Sequence, residues 1–179
     1  VEHEDFRTRL LLPEVFPDAR VTREFTDREG AVYARVYTRP AQSPPLRPPQ
    51  IYLNQPVGDG IELAGYDLLP GTAQPGQMIY LQLHWLTQSR PSGTWTVYTH
   101  VVNGVDGAVL AGRDSRPGSG SLVTTDWEAG WRMLDEYQIQ LPADLPPGEY
   151  GLRIGLYQDD GSILPVDGDG IDLGTLAVE

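Results

Sequence analysis

Two histidines and two aspartates have side chains of the types that bind metal ions. His84 and His100 lie on neighbouring segments that are predicted to be strands, so their rings could meet across a strand pair. A metal site needs about three or four ligands, and Asp114 or Asp135 could complete this polar cluster. The alternative is a half-buried His100 bound to a carboxylate. We favour the alternative, because the sequence has no HExxH motif and no other spaced ligand pair.

Asp114 and Asp135 are also the acids to consider for glycoside hydrolysis, which needs two carboxyl groups about 5–9 Å apart. Nothing in the surrounding sequence indicates that one of these carboxyl groups has a raised pKa while the other keeps an ordinary pKa. Asp114 is instead expected to accept backbone N–H bonds in the turn RDSRP, and Asp135 to pair with Arg132 or Arg153. The motifs GxSxG, GxxxxGK[ST] and GxGxxG are also missing. We therefore predict that this chain has no catalytic residue.

Tryptophans provide the candidate carbohydrate-binding residues. Trp127 and Trp131 follow a polar loop four residues apart, and together they could form an exposed platform for the apolar C–H face of a sugar ring. Trp95 opens a predicted strand and is a third candidate. Trp85 continues an apolar stripe and is predicted to be buried. Core packing is the alternative for every one of these rings, because a sandwich interior needs large side chains.

An acidic run near the end of the chain is the candidate metal site. Asp167, Asp169 and Asp172 in DGDGID offer carboxylate oxygens of the kind that bind Ca²⁺. The run lacks the twelve-residue EF-hand pattern and its final glutamate, and the alternative is a solvated turn. Structural calcium is thus the one cofactor that the sequence suggests.

Strands are predicted to position all of these side chains. Residues 79–85 alternate apolar and polar types and residues 95–102 are rich in β-branched and aromatic types, which predicts two strands joined by the polar loop 88–93. Both faces of the second strand are partly apolar, which predicts a mid-sheet position. Gly151 and Gly155 leave room in a later strand for a close neighbour or a bulge. Further strands are predicted at 51–54, 61–69, 108–112, 133–141, 149–158, 163–166 and 171–178. Short strands between turn signals favour an all-β fold, an antiparallel β-sandwich of immunoglobulin-like or jelly-roll-like type, with a barrel as the alternative.

Prolines suggest how the chain is divided. Residues 40–50 contain five prolines, which no strand or helix interior tolerates, and they are predicted to form an extended connector. Before it, residues 1–39 predict an N-terminal segment with a short helix near 4–12 and a hairpin over 21–37. After it, residues 51–179 predict the sandwich domain.

Composition limits the class of partner. The net charge of −12 falls on residues 51–179, which hold five arginines and seventeen acids. Such a domain repels phosphate backbones and anionic membrane surfaces, which argues against nucleic acid as a partner. The chain has no cysteine, so disulfides and thiolate metal sites are excluded. No apolar run approaches the roughly 18 residues of a membrane helix, and a chain that begins at Val1 is expected to be a piece of a longer protein.

An ordered set of motifs over about residues 51–178 resembles a known family. The motifs are GYDLLPGTAQPGQMIYLQLHW, VYTHVVNGVDG, RDSRPGSG, TTDWEAG, DEYQIQLPADLPPGEYGLRIGLYQDDG and DLGTLAV. Together they resemble the extracytoplasmic C-terminal module of bacterial membrane glycosyltransferases that are similar to dolichyl-phosphate-mannose protein mannosyltransferases. One position departs from the family, which tends to have an acid after Trp127 and Gly130 where this chain has Trp131.

The resemblance implies a β-sandwich outside the membrane, tethered through the membrane part of the full-length protein. It also implies that the catalytic acids lie in membrane-proximal loops outside this chain. We therefore expect a non-catalytic, extracytoplasmic accessory domain that supports or orients a glycan or a polyprenyl-linked sugar acceptor. The alternatives are a carbohydrate-binding module that uses exposed aromatic rings and a protein-interaction or adhesion domain.

Overall fold

The computed structural model describes residues 20–38, 47–165 and 170–179, which form twelve β-strands and two short 3-10 turns. The chain divides into two compact units, Val1–Pro45 and Leu46–Glu179. Within the described residues, no helix is long and apolar enough to span a membrane. The strands are β1 (Arg20–Thr26), β2 (Val32–Thr38), β3 (Ile51–Gly58), β4 (Ile61–Leu69), β5 (Thr72–Ala73), β6 (Met78–Thr87), β7 (Thr96–Asn103), β8 (Val109–Ser115), β9 (Arg132–Gln140), β10 (Gly148–Tyr157), β11 (Ile163–Leu164) and β12 (Ile171–Val178).

The first unit contains the predicted N-terminal hairpin, with β1 and β2 paired antiparallel. Asp27 organises its turn. The Asp27 carboxylate accepts hydrogen bonds from the backbone N–H groups of Glu29 and Ala31, both at 2.9 Å. The predicted helix near residues 4–12 and residues 40–46 of the proline-rich connector lie outside the described residues.

Two sheets form the second unit. One is four-stranded, in the order β3-β4-β6-β9, and the other is six-stranded, in the order β5-β12-β10-β7-β8 with β11 also paired to β10. All pairs are antiparallel except the short parallel pair of β5 with β12. The predicted all-β sandwich is therefore confirmed.

Alternating side chains build the core between the sheets. In β6, the residues Ile79, Leu81, Leu83 and Trp85 all point inward and are at most 1% exposed, which confirms the predicted burial of Trp85. From the other sheet, β10 contributes buried residues that include Leu152, Ile154 and Leu156. Side chains from both sheets thus fill the interior of the sandwich. Burying one such side chain stabilises the fold by about 1.5–3 kcal/mol.

The strands on either side of the polar loop, β6 and β7, do not pair with each other, and the prediction that they meet is wrong. β6 pairs with β4 and β9, whereas β7 pairs with β10 and β8 in the other sheet. The eight residues between them carry the chain from one sheet to the other. A two-residue period predicts a strand and its faces but does not say which strand lies beside it. The predicted mid-sheet position of β7, between β10 and β8, is confirmed.

Asp59, in the turn between β3 and β4, anchors the loop that crosses between the sheets. Its carboxylate accepts hydrogen bonds from the Ser92 N–H and hydroxyl, the Gly93 N–H at 3.0 Å and the Trp95 indole N–H at 2.7 Å. Partial burial works to raise the pKa of Asp59, but these hydrogen bonds outweigh it and hold the pKa below its usual value. An ionised Asp59 therefore fixes the start of β7.

Candidate functional site

A groove of about 290 Å³ lies on the outward face of the six-stranded sheet. In β7 the residues Val97, Thr99 and Val101 are fully buried toward the core, so the alternate residues face outward. The groove is lined by side chains from four strands: Tyr98, His100, Val102, Val109, Arg153 and Ile163. The outward residues of β7 therefore form its floor, and β8, β10 and β11 supply its sides.

Glycines beside β7 let its outward side chains lie low on the sheet. Gly112 of β8 is opposite His100, and a Cβ atom there would lie 2.7 Å from the His100 Cδ2. Gly151 of β10 is opposite Val102, and a Cβ atom there would lie 2.8 Å from the Val102 Cγ2. Glycine inside a strand marks a place where another group comes close. On this face the groups that come close are the side chains that line the groove.

Tyr98 and His100 form a stacked pair on this glycine floor. Their ring centroids are 4.7 Å apart, with 27° between the ring planes. Gly155 of β10 is opposite Tyr98, and a Cβ atom there would overlap the Tyr98 ring. The ring extends across β10 as far as Gly170, where a Cβ atom would meet its hydroxyl. Two aromatic rings thus provide a low surface in a groove whose other lining side chains are mostly apolar, with Arg153 as the charged one.

Asp114 of β8 supplies a polar edge beside the stacked pair. One of its oxygens lies 3.4 Å from the His100 Nε2, and the other accepts a hydrogen bond from the Tyr157 hydroxyl at 3.2 Å. Desolvation, followed by the negative charge of Asp114, raises the pKa of Tyr157 above its usual value. The expected half-buried His100 beside a carboxylate is confirmed. The expected backbone N–H bonds to Asp114 are not what the structure shows, since its partners are side chains.

Arg153 of β10 supplies a cationic edge. It lies opposite His100 on one side and opposite Asp172 on the other. The residue is half-buried and lines the groove. Within the described part of the chain, its guanidinium makes no hydrogen bond or ion pair. The groove therefore combines an aromatic floor, apolar sides and a guanidinium on β10, and the Asp114 carboxylate of β8 lies beside it.

His84 lies on the outer face of the four-stranded sheet. It is 5% exposed, and its Nε2 lies 2.8 Å from the Oδ2 of Asp67, a fully buried carboxylate on β4. Arg47 Nη2 lies 2.7 Å from the same oxygen, and the Gln50 N–H donates to the other oxygen at 2.6 Å. Burial works to raise the pKa of Asp67, but hydrogen bonds from His84, Gln50 and Arg47 hold it below its usual value. This cluster fastens residues 47–50, which we call the strap, onto the sheet.

Asp135 points from β9 into the core and is 2% exposed. It accepts hydrogen bonds from the Tyr137 hydroxyl at 2.6 Å and from the Gly118 N–H at 2.8 Å. Burial raises the pKa of this carboxyl. The predicted ion pair with Arg132 or Arg153 is wrong, because Asp135 faces the interior whereas both arginines lie on outward faces of their sheets.

The four residues of the predicted polar cluster are therefore found in three places. His100 lines the groove with Asp114 beside it, His84 lies on the other sheet and Asp135 is inside the core. Among residues 20–38, 47–165 and 170–179, no group of three or more metal-binding side chains could hold an ion. The possibility that His84 and His100 form a metal site with Asp114 or Asp135 is corrected, because β6 and β7 belong to different sheets.

The predicted tryptophan platform is also corrected. Trp127 is 1% exposed and Trp95 is 5% exposed, and both belong to the core. Trp131 alone is open to solvent, at 43% exposed. The chain reverses between Trp127 and Trp131 in a turn that has Gly130 at φ 84°, where the Trp131 N–H donates to the Glu128 carbonyl. Residues four apart share a face on a helix but not across such a turn.

The predicted calcium site falls mostly outside what the structure describes. Asp167 and Asp169 lie in the gap between residues 165 and 170. Asp172, on β12, uses its Oδ1 to accept the Gly174 N–H at 2.8 Å. Calcium binding by this run stays a prediction.

Sequence analysis did not single out Tyr98 and Arg153 as site residues. The signal was present, since the alternation in β7 puts Tyr98, His100 and Val102 on one face and Gly151 and Gly155 leave space in β10. What was missing is the pairing of β7 with β10 and β8, which brings the glycines beside the rings.

Comparisons with known proteins give distant structural likenesses. No family model matches the sequence, and no curated protein matches it. The structure titled "Crystal structure of the C-terminal domain of wzt" has a TM-score of 0.48 and 16% identity, over 73% of this chain and 81% of that chain. A Pseudomonas fluorescens alkylpurine DNA glycosylase, AlkC, bound to DNA containing an abasic site analog, has a TM-score of 0.43 and 12% identity, over 68% of this chain and 31% of that chain. Both are too distant to assign a ligand or an activity to this chain.

Proposed function

We propose that this chain is a non-catalytic accessory domain that holds a glycan in the groove of the six-stranded sheet. The observation that carries the proposal is the Tyr98–His100 stack, laid low over glycines, with Arg153 lining the groove and Asp114 beside His100. Sugar rings have apolar C–H faces that pack on aromatic rings and hydroxyls that need charged or polar partners. An open groove on a sheet suits a segment of a saccharide chain.

The positions of the acids support a binding role rather than hydrolysis. Asp114 and Asp135 were the acids to consider for a hydrolase, and two such carboxyl groups must face the same bond. Asp114 faces outward beside the groove, whereas Asp135 is buried between the sheets. No substrate on the surface can reach both, so the proposed domain binds and does not cleave.

The ordered motifs that resemble the glycosyltransferase module support a cellular setting. In this proposal the domain lies outside the cytoplasmic membrane, tethered through a longer glycosyltransferase-like protein, and it orients a glycan or a polyprenyl-linked sugar acceptor. The parent reading frame tests this setting: several apolar helices are expected before Val1. A short reading frame with only a secretion signal would contradict it.

The groove is tested with a glycan array and a matched pair of variants. Tyr98→Ala removes half of the stacked pair and should weaken the best glycan by about tenfold, or 1.4 kcal/mol. Trp131→Ala removes the exposed ring outside the groove and should leave binding unchanged. Thermal unfolding of both variants separates lost binding from lost folding. The opposite result, with Trp131 essential and Tyr98 dispensable, would place the site elsewhere, and an array without any hit would reject glycan binding.

A protein partner is the second candidate, favoured by aromatic exposure on the other sheet. Tyr52 is 62% exposed, Tyr80 is 38% exposed and Leu69, opposite Tyr80 in the pairing of β4 with β6, is 42% exposed. Exposed apolar side chains on one face are typical of interaction surfaces. If this candidate is right, the double variant Tyr52→Ser and Tyr80→Ser should keep its glycan binding. Cross-linking between this domain and the rest of the parent protein should decrease.

A further inference from the structure

We infer that the saccharide bound in the groove carries an anionic group, and that Arg153 binds it. The inference rests on the proposed function and adds the substrate class, a saccharide bearing a carboxylate or a phosphate. The inference starts from the half-buried position of the Arg153 guanidinium.

Arg153 differs from the other arginines that follow residue 50. Those four are exposed to solvent, where a guanidinium keeps its hydration: Arg90, Arg113, Arg116 and Arg132. Arg153 is half-buried in the groove. A partly desolvated charge is costly unless it is paired, yet this guanidinium has no hydrogen-bond or ion-pair partner in the described part of the chain.

The acids nearest to Arg153 in the sheet are used by other groups. Asp172 is opposite Arg153 on β12, but its Oδ1 accepts the Gly174 N–H and it forms no ion pair with the guanidinium. Asp114 is on the far side of β7, engaged by His100 and Tyr157. Because these acids are engaged elsewhere, the Arg153 guanidinium is available for an anionic group from outside, a local attraction that must exceed the repulsion from the net charge of −12.

The chemistry of arginine defines the group that would fit. A guanidinium presents planar, forked N–H donors that match a carboxylate or a phosphate with two parallel hydrogen bonds. Arg153 lies on β10 and Asp114 on β8, on either side of the stacked rings of β7. The anionic substituent would therefore bind on the β10 side, the ring would pack on Tyr98, and hydroxyls would donate to Asp114.

The test compares acidic saccharides with their neutral counterparts on the whole 179-residue chain. The probes are oligogalacturonate against its methyl ester and phosphomannan against dephosphorylated mannan, measured by calorimetry. NMR signals of Arg153 and Tyr98 are followed during titration with sodium glucuronate, glucose 6-phosphate and glucose. We expect the acidic member of a pair to bind at least about tenfold more tightly, and to lose this advantage at high salt. The carboxylate and phosphate arms show which anion is preferred.

Arg153→Gln should abolish the preference for the acidic probe while leaving the weaker neutral binding in place. Arg132→Gln is the matched control, because it makes the same change of charge on an exposed residue of the other sheet. Equal binding of acidic and neutral probes by the unmodified chain would overturn the inference and leave the glycan function standing. Absence of binding by every probe, with no NMR shift at Arg153, would overturn the inference, and an array without hits would then reject the glycan function too.

Discussion

Asp135 is a single carboxyl group placed among apolar side chains of the core, and its environment makes stability depend on pH. It has two hydrogen-bond donors, Tyr137 and Gly118, but burial dominates and raises its pKa. The pKa in the folded chain therefore lies above that of the unfolded chain. The contribution of Asp135 to stability is complete below about pH 4 and is lost as the pH rises through the folded-state value.

Asp135→Asn should remove this pH dependence, because an amide cannot ionise. The free energy of unfolding of the unmodified chain, relative to that of the variant, should fall between about pH 4 and pH 8. Urea unfolding at both pH values measures it. Glu136→Gln changes the exposed neighbour of Asp135 and should show the same pH profile as the unmodified chain. A constant difference between the unmodified chain and Asp135→Asn would show that the pKa of Asp135 is not raised in the folded chain.

The strap over the four-stranded sheet is an element held by one buried carboxylate. Asp67 is fully buried and has three donors, from Arg47, Gln50 and His84. Asp67→Ala removes the acceptor of the Gln50 N–H and of buried His84, whereas Arg47 keeps Gln82, and it should lower the free energy of unfolding by about 3 kcal/mol. Hydrogen exchange of the Gln50 amide should accelerate at the same time.

Arg47→Gln is the milder change in the same cluster. The Arg47 side chain is 50% exposed and its loss should cost about 1 kcal/mol or less. Equal effects of Asp67→Ala and Arg47→Gln would show that the carboxylate is not the centre of the cluster.

The groove depends on Gly155, which lies in β10 opposite Tyr98 of β7. Gly155→Ala places a Cβ atom where the Tyr98 ring lies, so the ring must lift from the sheet. We expect a loss of about 1–3 kcal/mol in stability and a loss of glycan binding. Gly71→Ala is the control, because nothing lies within 4 Å of the added atom. Unchanged glycan binding by a folded Gly155→Ala variant would show that the low position of Tyr98 does not matter.

At the scale of the whole molecule, the two sheets are linked by the loop that Asp59 organises. Asp59→Asn keeps one acceptor oxygen and loses the charge that binds Ser92, Gly93 and Trp95. We expect a loss of about 2 kcal/mol at neutral pH, as for other hydrogen bonds to a charged group. Because the pKa of Asp59 is lowered in the folded chain, this stability is present above about pH 4 and is lost as the pH falls through the folded-state pKa.

Denaturation at pH 7 and at about pH 3 measures the effect. The difference between the unmodified chain and Asp59→Asn should shrink at the lower pH. Asp106→Asn is the control, because Asp106 accepts only a local N–H from Ala108 in an exposed turn and asparagine can do the same. An effect of Asp59→Asn that is as small as that of the control would mean that the loop is held by its other contacts.

The sequence by itself determined the strands and their faces. Alternation in β6 predicted which of its side chains are buried, because successive residues of a strand point to opposite sides. The strand 61–69 was predicted with the bounds that β4 has. Turn residues predicted the strand ends less well, because β3 runs to Gly58 and β8 to Ser115, past the predicted ends at residues 54 and 112. The all-β sandwich still followed from these local rules.

Only the tertiary structure decided which strands lie side by side, and with them the site. Pairing between distant segments depends on how whole faces fit, which no local period contains. The separation of His84 from His100 and the burial of Trp127 both come from such long-range placement. So does the groove, because Gly112 and Gly155 reach the rings of His100 and Tyr98 only after β8 and β10 have paired with β7.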